Sequence, residues 1–268
     1  MTAPQHDEPA AQLDEETKRF YLRALDILDK AKVPFVVAGA YALAYHAQII
    51  RHTKDLDVFV KRDDVERALS AFNKAAYRTE RTHPHWLAKA FDERGDVFVD
   101  MIFRSANGLC DVDDDWLASG IPGRVLGRPT PICPAEEMIW SKSFVMARER
   151  FDGADICHVI RAKGRELDWD RLARRFKGIE HLLLGHVMFY RFVYPSKPEN
   201  VPDEVIERLF AQARKAPKLP EKICRGTLLS WNQYAPDLER WGYQDARVKP
   251  VGELTQEEVD HWTKAPKG

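Results

Sequence analysis

The sequence predicts an α+β fold, with strand–helix units and a β-hairpin in the first half of the chain and a mainly helical second domain after it. Three observations carry that expectation. Short apolar runs alternate with helical periodicity between residues 35 and 76, two further apolar runs flank the turn-forming Asp92-Glu93-Arg94-Gly95, and from residue 134 the apolar spacing is helical without a convincing strand. With 268 residues, 44% hydrophobic and 31% charged, the chain can bury one core of ordinary size and a smaller second unit. The expected division is a flexible N-terminus over 1–14, a core over 15–133, a helical domain over 134–216 and an irregular, aromatic-containing tail over 217–268.

Residues 15–31 place Phe20, Leu22, Leu25, Ile27 and Leu28 near helical spacing, and Lys32-Val33-Pro34 ends the pattern. Residues 35–38 form a short apolar run closed by Gly39, and 41–48 read as a helix rich in alanine and leucine, so the local order is strand, glycine turn, helix. Residues 56–60 are a second apolar run, and Asp63 and Asp64 stand where an N-cap would precede a helix over 65–76. The runs 86–91 and 97–103, joined by a turn whose Gly95 tolerates positive φ, read as a β-hairpin. A helix over 134–150 follows, with Pro134 at its first position, then helices over 155–163, 170–177, 179–192 and 203–215. Trp231, Tyr234, Trp241, Tyr243 and Trp262, set among prolines and charges, suggest a tail pinned to the body by its rings.

Lysine and arginine total 41 against 42 acidic residues, a net charge of −1. No long-range field therefore draws in polyanions, and a nucleic-acid partner would need a local patch. Cys110, Cys133, Cys157 and Cys224 are far apart and form no CxxC pair, which speaks against a zinc ribbon or disulfide framework and for a reducing, cytoplasmic location. The first sixteen residues lack the basic and apolar segments of a secretion signal. The most apolar stretch, 179–194, is interrupted by His181, His186 and Arg191 and is too short for a bilayer helix, so no membrane partner is expected.

The segment Arg51-His52-Thr53-Lys54-Asp55-Leu56-Asp57-Val58-Phe59-Val60 begins polar and ends as a strand, so Asp55 and Asp57 sit on one face at the strand's mouth. Paired carboxylates bridge hard divalent cations because Mg²⁺ favours oxygen ligands and accepts a site completed by water and phosphate oxygens. Asp100, inside the apolar run 97–103, would be costly to bury without a cation or hydrogen-bond donors. If its strand lies beside that of Asp55, three carboxylates converge and a paired-metal site for in-line attack on phosphorus becomes possible. The competing reading makes Asp55 and Asp57 solvated strand-edge acids and turns Asp100 to solvent on a half-exposed hairpin. Gly39 likewise fits either a phosphate-binding turn or a plain tight connection.

Taken together, Gly39-Ala40, then Asp55-Leu56-Asp57, then Asp100 resembles the DNA polymerase β-like nucleotidyltransferase superfamily, over residues 35–103. Within it the chain is similar to bacterial stand-alone nucleotidyltransferases, the group of antibiotic nucleotidyltransferases and of AbiEii and MenT type toxins from toxin–antitoxin pairs. The resemblance implies a mixed sheet backed by helices, with Asp55 and Asp57 binding both metal ions and Asp100 binding the one that activates the nucleophile. Mg²⁺ is the implied cofactor, with Mn²⁺ as a substitute. One position departs from the pattern: Ala40 stands where the superfamily usually has serine or glycine, so a hydroxyl is missing although the backbone N–H groups of a helix start remain.

A second cluster, Lys142, Arg148, Arg150, Asp152 and Asp155, resembles the lysine, arginine and paired-aspartate element of AbiEii-like enzymes. Lys142 would neutralise triphosphate and Arg148 would grip phosphate with its planar fork; the alternative is a solvated helix face with Asp152 capping the next helix. Seven cations between Arg161 and Lys177 could meet an RNA acceptor, or simply be a solvated helix face. His83 and His85 lack a third nearby ligand, and the acidic run over 111–115 lacks the glycine and glutamate of an EF-hand, so neither is assigned a role.

The activity implied is transfer of a nucleoside monophosphate from an NTP to an unidentified acceptor, with Asp55, Asp57, Asp100 and Lys142 catalytic and Gly39, Ala40, Lys142 and Arg148 holding nucleotide. Two alternatives stand beside it: a catalytically degenerate fold that binds nucleotide or a protein partner, and a toxin-like enzyme acting on tRNA and opposed by an antitoxin.

Overall fold

The computed structural model describes residues 13–51, 53, 55–218 and 222–264. Apart from Leu13 and Asp14, the expected flexible start lies outside the described residues. The chain divides into two compact units after Pro134. The observed class is the expected one, a mixed sheet backed by helices followed by a mainly helical unit.

In the first unit, helix α1 (Glu15–Lys30) starts where Asp14 accepts a hydrogen bond from the Thr17 backbone N–H at 2.8 Å. Its inner face buries Tyr21, Ala24, Leu25 and Leu28 completely, each leucine contributing about 2 kcal/mol of hydrophobic stabilisation. Strand β1 (Phe35–Val37) leads through Ala38 into α2 (Gly39–Ala47), and β2 (Asp55–Val60) precedes α3 (Val65–Lys74). Strands β3 (Thr79–His83), β4 (Leu87–Phe91) and β5 (Phe98–Ile102) follow, then the short α4 (Asp114–Ala118) and the pair β6 (Ile121–Val125) and β7 (Arg128–Ile132). Their order across the sheet is β3-β4-β5-β2-β1-β7-β6. The pairs β2–β5 and β1–β7 are parallel and the rest antiparallel. The expected hairpin is β4–β5: Gly95 adopts φ +82°, and Asp92 Oδ1 accepts the backbone N–H groups of Gly95, Asp96 and Val97 at 2.8, 3.1 and 3.2 Å.

Strands β3, β6 and β7 were not anticipated. Thr79–His83 is mostly charged and polar, which suits an edge strand that buries little, while β6 and β7 carry Pro122, Pro129 and Pro131 and lack the apolar alternation of a half-buried strand.

The second unit contains α5 (Ala135–Lys142), α6 (Gly153–Lys163), α7 (Trp169–Arg175), α8 (Glu180–Val193) and α9 (Asp203–Lys215). The helix expected over 134–150 is corrected: it stops at Lys142. Ser143 Oγ donates back to the Ile139 carbonyl at 2.7 Å, and the chain turns into a loop bridged at Met146 and Phe151 before α6. The region from 217 onward is also more regular than expected. It holds the two-residue strands β8 (Ile223–Cys224) and β9 (Gln244–Asp245), and helices α10 (Trp231–Glu239) and α11 (Gln256–Lys264). Its buried anchors are Leu228, Leu254 and Val259, whereas Trp241, Tyr243 and Tyr234 are exposed. Among the described residues no helix is long and apolar enough to cross a membrane.

Candidate active site

Strand β2 occupies the middle of the sheet, and burial alternates along its first four residues. Leu56, Val58 and Val60 are fully buried on one face, so Asp55 and Asp57 must share the other. Parallel β5 lies alongside with Asp57 opposite Asp100, and this register brings Asp100 to the same face. The three side chains each offer an oxygen within 4.8 Å of the others. Asp55 and Asp57 are half-buried; Asp100 retains 9% of its exposure. Thr53 Oγ1 hydrogen-bonds the Asp55 carboxylate.

Gly39 explains how helix α2 approaches this cluster. Its φ is +57°, in the region that side chains disfavour, and a Cβ built there would lie 1.8 Å from Asp57 Oδ2. The carboxylate thus occupies the space that a side chain at position 39 would fill. Asp57 O also accepts the Ala38 N–H at 2.9 Å, which ties the start of α2 to β2. No side-chain hydrogen bond from the N-cap closes the start of α2, and its first residue, Gly39, packs against the Asp57 carboxylate.

The electrostatics follow from crowding like charges in a half-buried place. Burial pushes the Asp100 carboxyl above its ordinary range; the Lys89 ammonium pulls against that, and the Asp55 carboxylate adds to the rise. Lys89 sits on β4 opposite Asp100 and places Nζ 2.6 Å from Asp100 Oδ1 and 3.7 Å from the centre of the Phe98 ring. Burial also pushes the phenols of Tyr21 and Tyr41 well up, with Asp55 adding to both and Tyr41, Asp57 and Asp100 adding to the rise of Tyr21. Both hydroxyls stay protonated and find no hydrogen-bond partner among the described residues. Three carboxylates with converging oxygens, and a glycine that makes room for one of them, fit a hard divalent cation of the Mg²⁺ or Mn²⁺ type.

Sequence reasoning missed Lys89, Tyr21 and Tyr41. Lys89 carried no usable signal: counting outward from the Asp92–Gly95 turn pairs Lys89 with Phe98, whereas the strands meet with Phe91 opposite Phe98 and Lys89 opposite Asp100. The tyrosines carried none, because their place depends on how α1 and α2 pack.

Lys142, by contrast, lies in the second unit with Nζ 2.8 Å from both Asp152 Oδ2 and Asp155 Oδ2. Asp152 precedes α6 but its side chain makes no capping bond. Burial pushes its carboxyl up, yet Lys142 and Arg150 together hold it below its ordinary range. Arg148 is exposed on the loop before α6. In the basic run, Arg171 and Arg175 turn inward onto the fully buried Glu137 at 2.7 and 3.2 Å, Lys163 pairs with Glu166 and Arg165 with Glu199. His83 stacks on Trp86, and Asp111, Asp113 and Asp114 are engaged by Arg104, the Trp116 N–H and Lys61.

A family described as "Uncharacterised nucleotidyltransferase" matches residues 21–189. A comparison with curated protein sequences returns no match. Similar solved structures include an antigenic nucleotidyltransferase-like protein from Paracoccidioides brasiliensis, at 14% identity over 72% of this chain and 98% of that one, TM-score 0.47. Another is ANT(2'')-Ia in complex with adenylyl-2''-tobramycin, at 16% identity over 66% of this chain and 98% of that one, TM-score 0.40. JHP933 from Helicobacter pylori shares 15% identity over 76% of this chain and 92% of that one, TM-score 0.36.

Proposed function

This chain belongs to the uncharacterised nucleotidyltransferase family, and on that premise we propose that it moves a nucleoside monophosphate from an NTP to an acceptor with release of pyrophosphate, using Asp55, Asp57 and Asp100 as its metal ligands. The observation that carries the reading is the convergence of those three carboxylates within 4.8 Å. In the reaction the acceptor oxygen bonds to the α-phosphorus, the α–β phosphoanhydride bond breaks, pyrophosphate leaves with the electron pair, and the acceptor gives up its proton. Mg²⁺ or Mn²⁺ held by the three carboxylates would supply Lewis-acid charge neutralisation for the phosphates and the attacking oxygen.

The chain's own residues have separable tasks. Asp100, on the strand beside Asp57, is the carboxylate we assign to the acceptor side, where it would help take up the acceptor's proton. Gly39 and Ala40 offer backbone N–H groups at the start of α2 to phosphate oxygens, which does not require the missing serine hydroxyl. Tyr21 and Tyr41 keep protonated, uncharged phenols buried near the carboxylates. Lys142 is satisfied by Asp152 and Asp155 in its own unit, so we assign it to the stability of that unit rather than to the leaving group.

The test is incubation of the full chain with each α-labelled NTP, Mg²⁺ or Mn²⁺, and three acceptor pools: total RNA, small metabolites and protein. Label entering one pool with wild type, and failing to enter with Asp57→Asn, supports the reading. Nucleotide binding without label in any pool under either metal would favour a binding module instead.

A further inference from the structure

Lys89, Asp100 and Asp57 form a row across three adjacent strands at one register level: β4 pairs Lys89 with Asp100, and β2 pairs Asp57 with Asp100. Asp100 therefore has a cation on one side and a carboxylate on the other. Its Oδ1 is engaged by Lys89 Nζ at 2.6 Å. The two side chains retain only 17% and 12% of their exposure, so water screens the pair poorly. The Phe98 ring, 3.7 Å from the ammonium, braces it from below.

Resting on the metal-site reading above, we propose that Lys89 is a built-in competitor for the divalent cation at Asp100: its ammonium occupies the third ligand until a metal ion displaces it. The physical basis is exclusion of like charges. A divalent cation drawing on Asp100 together with Asp55 and Asp57 would stand near a monovalent cation already bonded to the same carboxylate. It must either displace that ammonium or bind against its repulsion. Asp55 and Asp57 are thereby the constitutive ligands and Asp100 the conditional one. Such an arrangement disfavours metal in the absence of substrate and makes completion of the site depend on the negative charge that the NTP brings. The lysine also relieves the repulsion among three crowded acids in the metal-free protein, so the counter-ion role and the competitor role share one side chain.

A merely structural lysine predicts the opposite sign. If Lys89 only held Asp100 in a ligating pose, its removal would loosen that pose and weaken metal binding, as loss of an outer-shell partner does, by about tenfold to a hundredfold. Competition predicts tighter binding instead. The measurement is Mn²⁺ affinity of the full chain without nucleotide, by electron paramagnetic resonance of free Mn²⁺, for wild type, Lys89→Met, Lys89→Gln and the double variant Lys89→Met with Asp100→Asn. Melting temperature is followed in parallel, and Lys89→Gln serves if the methionine variant does not fold. Competition is supported when removal of Lys89 tightens Mn²⁺ binding about tenfold or more and the gain vanishes in the double variant. Unchanged or weaker binding, or a gain that survives Asp100→Asn, overturns it while the metal site stands. Absence of Mn²⁺ binding in every variant, both without nucleotide and with a non-hydrolysable NTP, overturns the metal site and this inference together.

Discussion

The two units each set a cluster of aspartates beside a lysine, and they do so in opposite ways. In the second unit Asp152 and Asp155 flank Lys142, each 2.8 Å from its ammonium, and Arg150 adds a guanidinium at 3.2 Å. The acids face a cation that the chain itself provides. In the sheet unit Asp55, Asp57 and Asp100 face one another, with oxygens within 4.8 Å, while the Lys89 ammonium stands off to one side on Asp100. The contrast shows in the carboxyls: the cations around Asp152 hold it below its ordinary range against burial, whereas burial and a neighbouring acid leave Asp100 above its own despite Lys89. The first cluster has its charge met inside the fold, whereas the second leaves three acids converging on one another, which is what the proposed cation site requires.

The sharpest way to break this comparison is Asp57→Asn. It removes a charge at nearly constant shape, so nucleotide transfer should fall by about a thousandfold or more, on the order of 4 kcal/mol in the barrier. The melting temperature should hold or rise. An active variant would sink the metal-ligand assignment. Lys142→Met should act on the other quantity, leaving two buried carboxylates without their shared ammonium and lowering stability by about 3 kcal/mol. Thermal unfolding checks it; a variant with unchanged melting temperature but lost NTP binding would move Lys142 to the substrate.

Gly39→Ala comes next. It combines a positive φ with a Cβ that meets the Asp57 carboxylate, so a loss of about 2 kcal/mol is expected from the backbone and the displaced acid together. Mn²⁺ should also stabilise the variant less than wild type, read as the shift in melting temperature with metal. An equal shift would mean that Gly39 serves only the turn.

The smallest effect is in pH. Because the folded-state value of Asp100 is raised, its contribution to stability is present below the ordinary carboxylate range and is lost as pH rises through the raised value. Asp152 is lowered, so its contribution is present above the ordinary range and is lost as pH falls through the lowered value. Metal-free melting curves between about pH 3 and pH 7 should therefore change in opposite ways in Asp100→Asn and Asp152→Asn. The same change in both would show that the two clusters do not differ in charge balance.

What the sequence determined by itself was the local grammar. The alternation in 55–60, the glycine closing the first strand and the Asp92–Gly95 turn each depend on neighbours a few positions away and each produced its element, and the helical spacing after residue 134 produced helices, the first of them ending early at Lys142. They were enough to single out Asp55, Asp57 and Asp100. Only the tertiary structure decided that β5 lies parallel to β2 with Asp57 opposite Asp100, that Lys89 joins the row and that two tyrosine hydroxyls are buried beside it. It also decided that Lys142 is enclosed by Asp152 and Asp155, where the sequence showed Lys142, Arg148, Arg150, Asp152 and Asp155 only as neighbours along the chain. The physical reason is range. Periodicity and turn chemistry act over a few residues, whereas charge balance is set by whichever groups the fold brings within a few ångströms, across strands and helices that the chain visits far apart.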